Sequence, residues 1–304
     1  MNVQLYICDV FAKRPLTGNS LSVVLHEEPL DPQLMQALTR ELRQFETIFV
    51  RPTSEPNRFE THVFDLTREL NFAGHPLLGA AAVLHDALRD SDRESWLLRI
   101  HGRDVPLRSH RLGPGALHVS MDQGTPVFGA RASPAQTERA LAAFSLTAAN
   151  LAPDLAPTVV STGLRYLVLP ISSGLAEAQI VHPQLERLLT ELDAEFAYLL
   201  DVHTREGRHW ENDGSLEDIA TGSAAGAAGA FLVASNLAKA NTTIVLRQGR
   251  FLGRPSEMHV RVHSHAGAVS NTEVAGPVAI IANGVLRLPE PVPRRRSQAG
   301  GVSG

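Results

Sequence analysis

Thiol chemistry is almost absent from this sequence, whose 304 residues hold one cysteine, Cys8. A single thiol excludes a disulfide framework within the chain and any metal site built from several cysteines. Lysine is nearly as scarce: Lys13 and Lys239 stand alone, and arginine carries the remaining positive charge, as a GC-rich coding bias would produce. The net charge of −4 comes with no basic stripe, which argues against nucleic acid as a partner. No apolar run approaches the ~20 residues of a membrane helix and no signal-peptide pattern opens the sequence, so a cytoplasmic protein with no membrane partner is expected.

The length exceeds one ordinary core, and the hydrophobic content of 43% is that of a folded protein, so two domains are expected. Strand-like runs dominate, among them residues 3–12, 21–26, 58–65 and 116–122 in the first half and 164–172, 196–202, 256–264 and 277–288 in the second. The segment 31–45 has Asp31 as N-cap, Pro32 at the first helical position and apolar residues at helical spacing. Residues 133–146 and 183–193 read as further helices. The expected division is 1–120 and 121–288, followed by a tail, 289–304, without apolar periodicity and expected to be disordered.

Two segments repeat weakly. Ala73–Ala81 reads AGHPLLGAA and Ala220–Ala228 reads ATGSAAGAA; each has an alanine, then glycine and two alanines six to eight residues on, and each leads into an apolar helix. A helix apolar on all sides is a buried one. Helix starts present unpaired N–H groups and positive dipole, and glycine admits a ligand to them, so two facing starts would hold a small carboxylate. Thr221 and Ser223 are equally suited to plain N-capping. Neither start matches GxxxxGK or GxGxxG, which leaves no phosphate loop or dinucleotide fingerprint. One further residue is out of character: Glu46 opens the apolar strand ETIFV, where it is either a solvated junction carboxylate or one held in an apolar pocket for a reason.

The runs CDVFAKRPLTGNSLSVVL, ETIFV, ELNFAGHPLLGAA, LRYLVLPI, EDIATGSAAGA and QGRFLGRPSEMHV, in this order from Cys8 to Gly276, resemble the PhzF family of phenazine-type isomerases. The resemblance implies an α/β (α+β) fold of the diaminopimelate epimerase type: two pseudo-symmetric domains, each a curved sheet wrapped around a central helix, with the site between them. It implies Glu46 as the catalytic group that moves a proton between substrate carbons. It further implies Asn19, Gly74, His75, Asp218, Gly222 and Ser223 as substrate-binding residues. No cofactor and no metal are implied, the substrate is a small conjugated carboxylic acid of secondary metabolism, and the assembly is a homodimer. Two departures stand beside Asp218. Ile219 replaces the usual proline, and GRHWEND precedes it, with His209 and Trp210 as candidate pocket walls.

Three other readings compete. Racemases of this fold use a cysteine at each helix start; FAGHP and IATGS have none, which excludes them. In HVRVHSH, His259 and His263 lie about 13 Å apart along an extended strand, too far to share an ion, and a solvated face is expected. A non-catalytic small-acid binder of the same fold is the main alternative, and the joint presence of Glu46, His75, Asp218 and Ser223 argues against it.

Overall fold

The computed structural model describes residues 1–180, 185–265 and 268–289, and its strands join into one continuous sheet that curls around two helices. In the first half, β1 (Asn2–Val10) pairs antiparallel with β2 (Asn19–Leu25), and α1 (Pro32–Leu42) crosses to β3 (Glu46–Pro52), parallel to β2. Then β4 (Arg58–Asp65) returns antiparallel, the two-residue β5 (Glu69–Leu70) folds back on it, and α2 (Gly74–Leu88) leads to β6 (Arg93–Ile100), which is parallel to β4. A meander through β7 (Arg103–Gly113) and β8 (Ala116–Gly124) completes this half.

The second half opens with β9 (Val127–Arg131), α3 (Pro134–Ala143) and β10 (Thr158–Ser161) and then repeats the same sequence of moves. From β11 (Arg165–Ile171), α4 (Leu185–Glu191) crosses to the parallel β12 (Phe196–Asp201). The antiparallel β13 (Glu206–Trp210) and two-residue β14 (Glu217–Asp218) precede α5 (Gly222–Ala234), which leads to β15 (Thr243–Gln248), parallel to β13. The halves are therefore pseudo-symmetric at the level of single strands. The segment β3–β4–β5–α2–β6 corresponds to β12–β13–β14–α5–β15, and the expected fold class is the observed one.

Composition explains why α2 and α5 run through the middle. Every residue of α2 from Gly74 to His85 is buried, and so is α5 from Ala224 to Leu232. Small residues let the sheet close on them: a Cβ at Gly79 would overlap Leu21 and sit 3.1 Å from the Cys8 sulfur, and one at Gly229 would sit 2.5 Å from Val260. A single apolar cluster runs through both helices and takes Cys8 as one of its small buried hydrophobes.

The last strands join the halves. After β16 (Ser256–His265), the twenty-residue β17 (Ala268–Arg287) pairs first with β16, then with β8, and finally, over Val278–Arg287, with β1. We propose that the boundary near residue 120 be kept, with the end of β17 counted to the first unit. The tail from residue 290, the first two residues of the helix expected over 183–193 and the side chain of His265 lie outside the described residues. Among the described residues no helix is long and apolar enough to cross a membrane.

Candidate active site

The starts of α2 and α5 meet. A Cβ built on Gly74 would lie 3.4 Å from the backbone nitrogen of Ser223, and one on Gly222 would lie 3.7 Å from that of His75. Glycine at both positions is what permits the approach. The starts of α1 and α3 are closed in the usual way: Asp31 accepts from Gln33 N–H on α1, and Ser133 with Gln136 forms a capping box on α3. Neither Ala73 nor Thr221 offers a side-chain cap to α2 or α5. The two uncapped starts border one cavity of about 140 Å³, and their positive ends and first-turn N–H groups make it a seat for an anionic group.

Glu46 and His75 face each other in this cavity. Glu46 is the first residue of β3, pairing with Leu21 on one side and Asp65 on the other, so the strand end places its carboxyl at the cleft. The side chain is buried nonetheless, and its Oε2 lies 3.5 Å from Nε2 of His75. Neither atom has a hydrogen-bond partner, an arrangement that costs stability unless a ligand supplies one. Burial raises the Glu46 pKa well above the ordinary carboxylate value, and the nearby carboxylates of Asp218, Asp65 and Glu211 push it the same way. Burial also pushes His75 down to about 4, against the opposing pull of Asp218. Both shifts disfavour the charged forms, so a carboxylate at Glu46 holds a proton more tightly than it would in water.

Asp218 is fixed rather than free. Its Oδ1 accepts from Asn19 Nδ2 at 2.9 Å and its Oδ2 from the Thr221 hydroxyl at 2.7 Å. Asn19 also donates to the Ala220 carbonyl, so the first residue of β2 is tied to the loop that opens α5 across the two halves. Gln248 completes the frame, donating to the Asp218 carbonyl and the Thr221 hydroxyl while accepting from Thr221 N–H. The Ser223 hydroxyl is 2.7 Å from the Tyr166 phenol. Burial raises the Tyr166 pKa, so it remains a neutral phenol. Thr221 and Ser223 thus spend their hydroxyls on Asp218 and Tyr166, not on capping.

All seven residues expected at the site except Asn19 line the cavity, and Asn19 reaches it through Asp218. His209 lines it as well, packing edge-on to Tyr166 and Phe196, with Nδ1–H donating to the Ala197 carbonyl. Trp210 does not line it. Alternation along β13 turns its ring to the opposite face, against Phe144 and under the Arg208 guanidinium at 4.4 Å. Sequence reasoning missed Tyr166, Phe196, Asp65, Arg68 and Glu211, which also line the cavity. Phe196 opens β12 as Glu46 opens β3, and Tyr166 pairs with it as Leu21 pairs with Glu46, a signal the internal repeat could have supplied. Of the strand histidines, His259 is half-buried and stacked on His118, with 3.1 Å between ring nitrogens, rather than on a solvated face. Among the described residues no group of three or more His, Cys, Asp or Glu could hold a metal ion.

Comparison with known proteins gives the family. The family model for phenazine biosynthesis-like proteins, PhzC–PhzF, matches residues 8–284. The chain belongs to the PhzC–PhzF family. Trans-2,3-dihydro-3-hydroxyanthranilate isomerase of Pseudomonas aeruginosa is 30% identical over 284 residues, spanning 91% of this chain and 97% of that protein. Among solved structures, a predicted epimerase from Pseudomonas aeruginosa is 45% identical with a TM-score of 0.87, covering 94% of this chain and all of that one. A PhzF-family protein from Bacillus anthracis has a TM-score of 0.79 at 19% identity, over 95% of this chain and all of that one, a likeness of fold. With named PhzF relatives that are isomerases matching over nearly its full length, the chain is an enzyme of the isomerase class.

Proposed function

We propose that this PhzF-family enzyme shifts a double bond in a small conjugated carboxylic acid by moving one proton between two carbons, with Glu46 as the carrier and no cofactor. The observation that carries this reading is the buried, unpartnered pair of Glu46 Oε2 and His75 Nε2 at 3.5 Å, at the mouth of two uncapped helix starts. A solvated carboxylate is a feeble base toward carbon. Burial beside Asp218, Asp65 and Glu211 raises the proton affinity of Glu46, which brings it closer to an activated C–H and poises it to return the proton. Conjugation with the substrate's carboxylate spreads the negative charge that develops, and the first-turn N–H groups of α2 and α5 receive it without reorganising.

His75, neutral at ordinary pH, polarises the substrate through a hydrogen bond, and Asp218 orients it from its frame of Asn19, Thr221 and Gln248. Ser223 and its Tyr166 partner line the same cavity. The same reading places the enzyme in secondary metabolism, as a cytoplasmic homodimer. The related isomerase named for trans-2,3-dihydro-3-hydroxyanthranilate makes that compound the first candidate substrate. The test measures binding and turnover separately with it and with close dienyl acids. Glu46→Gln keeps size and polarity and should bind within a few-fold of the native chain while losing almost all turnover. Turnover retained by Glu46→Gln would assign the proton transfer to another group.

A further inference from the structure

Two of the runs that carry the family resemblance, residues 8–25 and 248–260, have so far supplied the site with Asn19 and Gln248 alone. The fold brings other residues of these runs together. Arg254, between β15 and β16, reaches across to the loop between β1 and β2. Its Nε donates to the Gly18 carbonyl at 2.8 Å, and its Nη2 donates to the Thr17 carbonyl at 3.1 Å and to Oδ1 of Asp9 at 2.7 Å. Gly18 N–H returns a bond to the Pro255 carbonyl at 3.3 Å. The other carboxylate oxygen of Asp9, a fully buried residue, accepts from Leu16 N–H at 2.7 Å. One buried carboxylate and one guanidinium thus hold the loop from both sides.

That loop ends at Asn19. The Gly18 carbonyl held by Arg254 belongs to the planar peptide unit that carries the nitrogen and Cα of Asn19. The bond therefore fixes the base from which the buried Asn19 amide reaches Asp218 Oδ1 and the Ala220 carbonyl. Arg254 is also tied to the other partner of Asp218. Its N–H donates to the carbonyl of Gly249, the neighbour of Gln248, at 3.0 Å. A Cβ on Gly249 would lie 2.4 Å from the Arg254 carbonyl oxygen and 2.6 Å from that of Ile219, so this turn presses on the loop that carries Asp218. Arginine suits the position because its rigid fork spans a carboxylate and two carbonyls at once, which the single nitrogen of lysine does not. Burial raises the Asp9 pKa while the Leu16 N–H and the Arg254 guanidinium pull against it, so removing the arginine alone strands a buried carboxyl.

We infer that Arg254 is a positioning residue for the isomerisation: held by Asp9, it fixes the Gly18 peptide so that Asn19 keeps Asp218 in the orientation the substrate meets. This role rests on the reading of Asp218 as the group that orients the substrate. The test is a double-mutant cycle of Arg254→Lys with Asn19→Ala in the full chain. It is read by turnover of trans-2,3-dihydro-3-hydroxyanthranilate and, without substrate, by the side-chain amide resonances of Asn19. Asn19→Ala alone should lower kcat about ten-fold or more. Arg254→Lys keeps a charge beside Asp9 but loses the fork; it should lower kcat about ten-fold with KM within about two-fold, and should shift the Asn19 amide signals. When Asn19 is already alanine, the same substitution should lower kcat by less than about two-fold. Equal losses in both backgrounds, or Asn19 signals that stay in place, overturn the inference and leave Arg254 as a brace of the fold. An Asp9→Asn, Arg254→Gln double variant removes both charges together, so no buried ion is stranded, and its melting temperature reports folding. It should show the same loss of kcat, and native kcat in this folded variant also overturns the inference. Native turnover in Asn19→Ala overturns the orienting role of Asp218, and the inference with it; the other contrary results leave that role intact.

Discussion

Glu46 and His75 are the residues at which this chain gives up stability for chemistry, and their titration makes that measurable. The folded state holds the Glu46 proton above the pH at which the unfolded chain releases it, because burial raises its pKa. Stability therefore falls as pH rises above about 4.5 toward the raised value. His75 acts in the opposite limb: the unfolded chain takes up its proton near 6.5 and the folded chain near 4, so stability falls as pH drops between those values. Melting temperatures of the native chain, Glu46→Gln and His75→Gln across pH 4 to 8 should show both limbs. Glu46→Gln should be more stable than the native chain at pH 7 to 8 and close to it at pH 4, while His75→Gln should flatten the acidic limb. A Glu46→Gln variant less stable at pH 8 than the native chain would mean that the carboxylate is paired and not isolated.

The same scale shows what a sequence can and cannot give. The oddity of Glu46 at the head of an apolar strand was visible, as were His75 and Asp218 in their motifs. Arg68 and Glu211 were not, because an exposed charge in a turn looks the same whether or not it borders a cavity. Trp210 illustrates the opposite error. Its neighbour His209 does line the cavity, but the period-two alternation of β13 sends the two rings to opposite faces.

At the scale of elements, strong local chemistry was legible and weak local chemistry was not. Asp31 and Pro32 announced α1, and the alternating run of 58–65 became β4 with the same bounds. The short β13 and β14 were hidden because their charged residues suggest a surface loop. In the structure Arg208 and Glu217 form a bidentate pair at 2.8 Å, both largely buried, and Arg208 also donates to the carbonyls of Leu175 and Ala178. That pair anchors the two-residue strand on which Asp218 rides. The central helices depend on close approach instead. Gly79→Ala should gain up to about 1 kcal/mol from helix propensity and lose about 1–3 kcal/mol from overlap with Leu21 and crowding of Cys8 and Val10. A net fall in denaturation midpoint is expected, and a rise would show that β1 and β2 do not press on α2 as described.

For the whole molecule, the weak repeat of Ala73–Ala81 and Ala220–Ala228 proved the most informative feature. It marks equivalent helices in two halves that share strand order, crossovers and parallel pairings, and it places their starts against each other. What the repeat did not carry is the path of β17, which begins in the second half and ends paired with β1. That contact spans the whole chain, and no local pattern encodes it. Its consequence is that the cleft is held between halves tied at the back by a shared strand and at the front by Asn19 and Asp218.

The central claim is that one buried carboxyl carries the proton from carbon to carbon in a cleft sheltered from water. Conversion of trans-2,3-dihydro-3-hydroxyanthranilate, or the dienyl acid that replaces it as best substrate, can be followed in D₂O by proton NMR. The account predicts that the product retains part of the substrate's own hydrogen at the newly protonated carbon, and that Glu46→Gln neither converts the substrate nor exchanges its C–H. Conversion or exchange by Glu46→Gln within ten-fold of the native rate would contradict it.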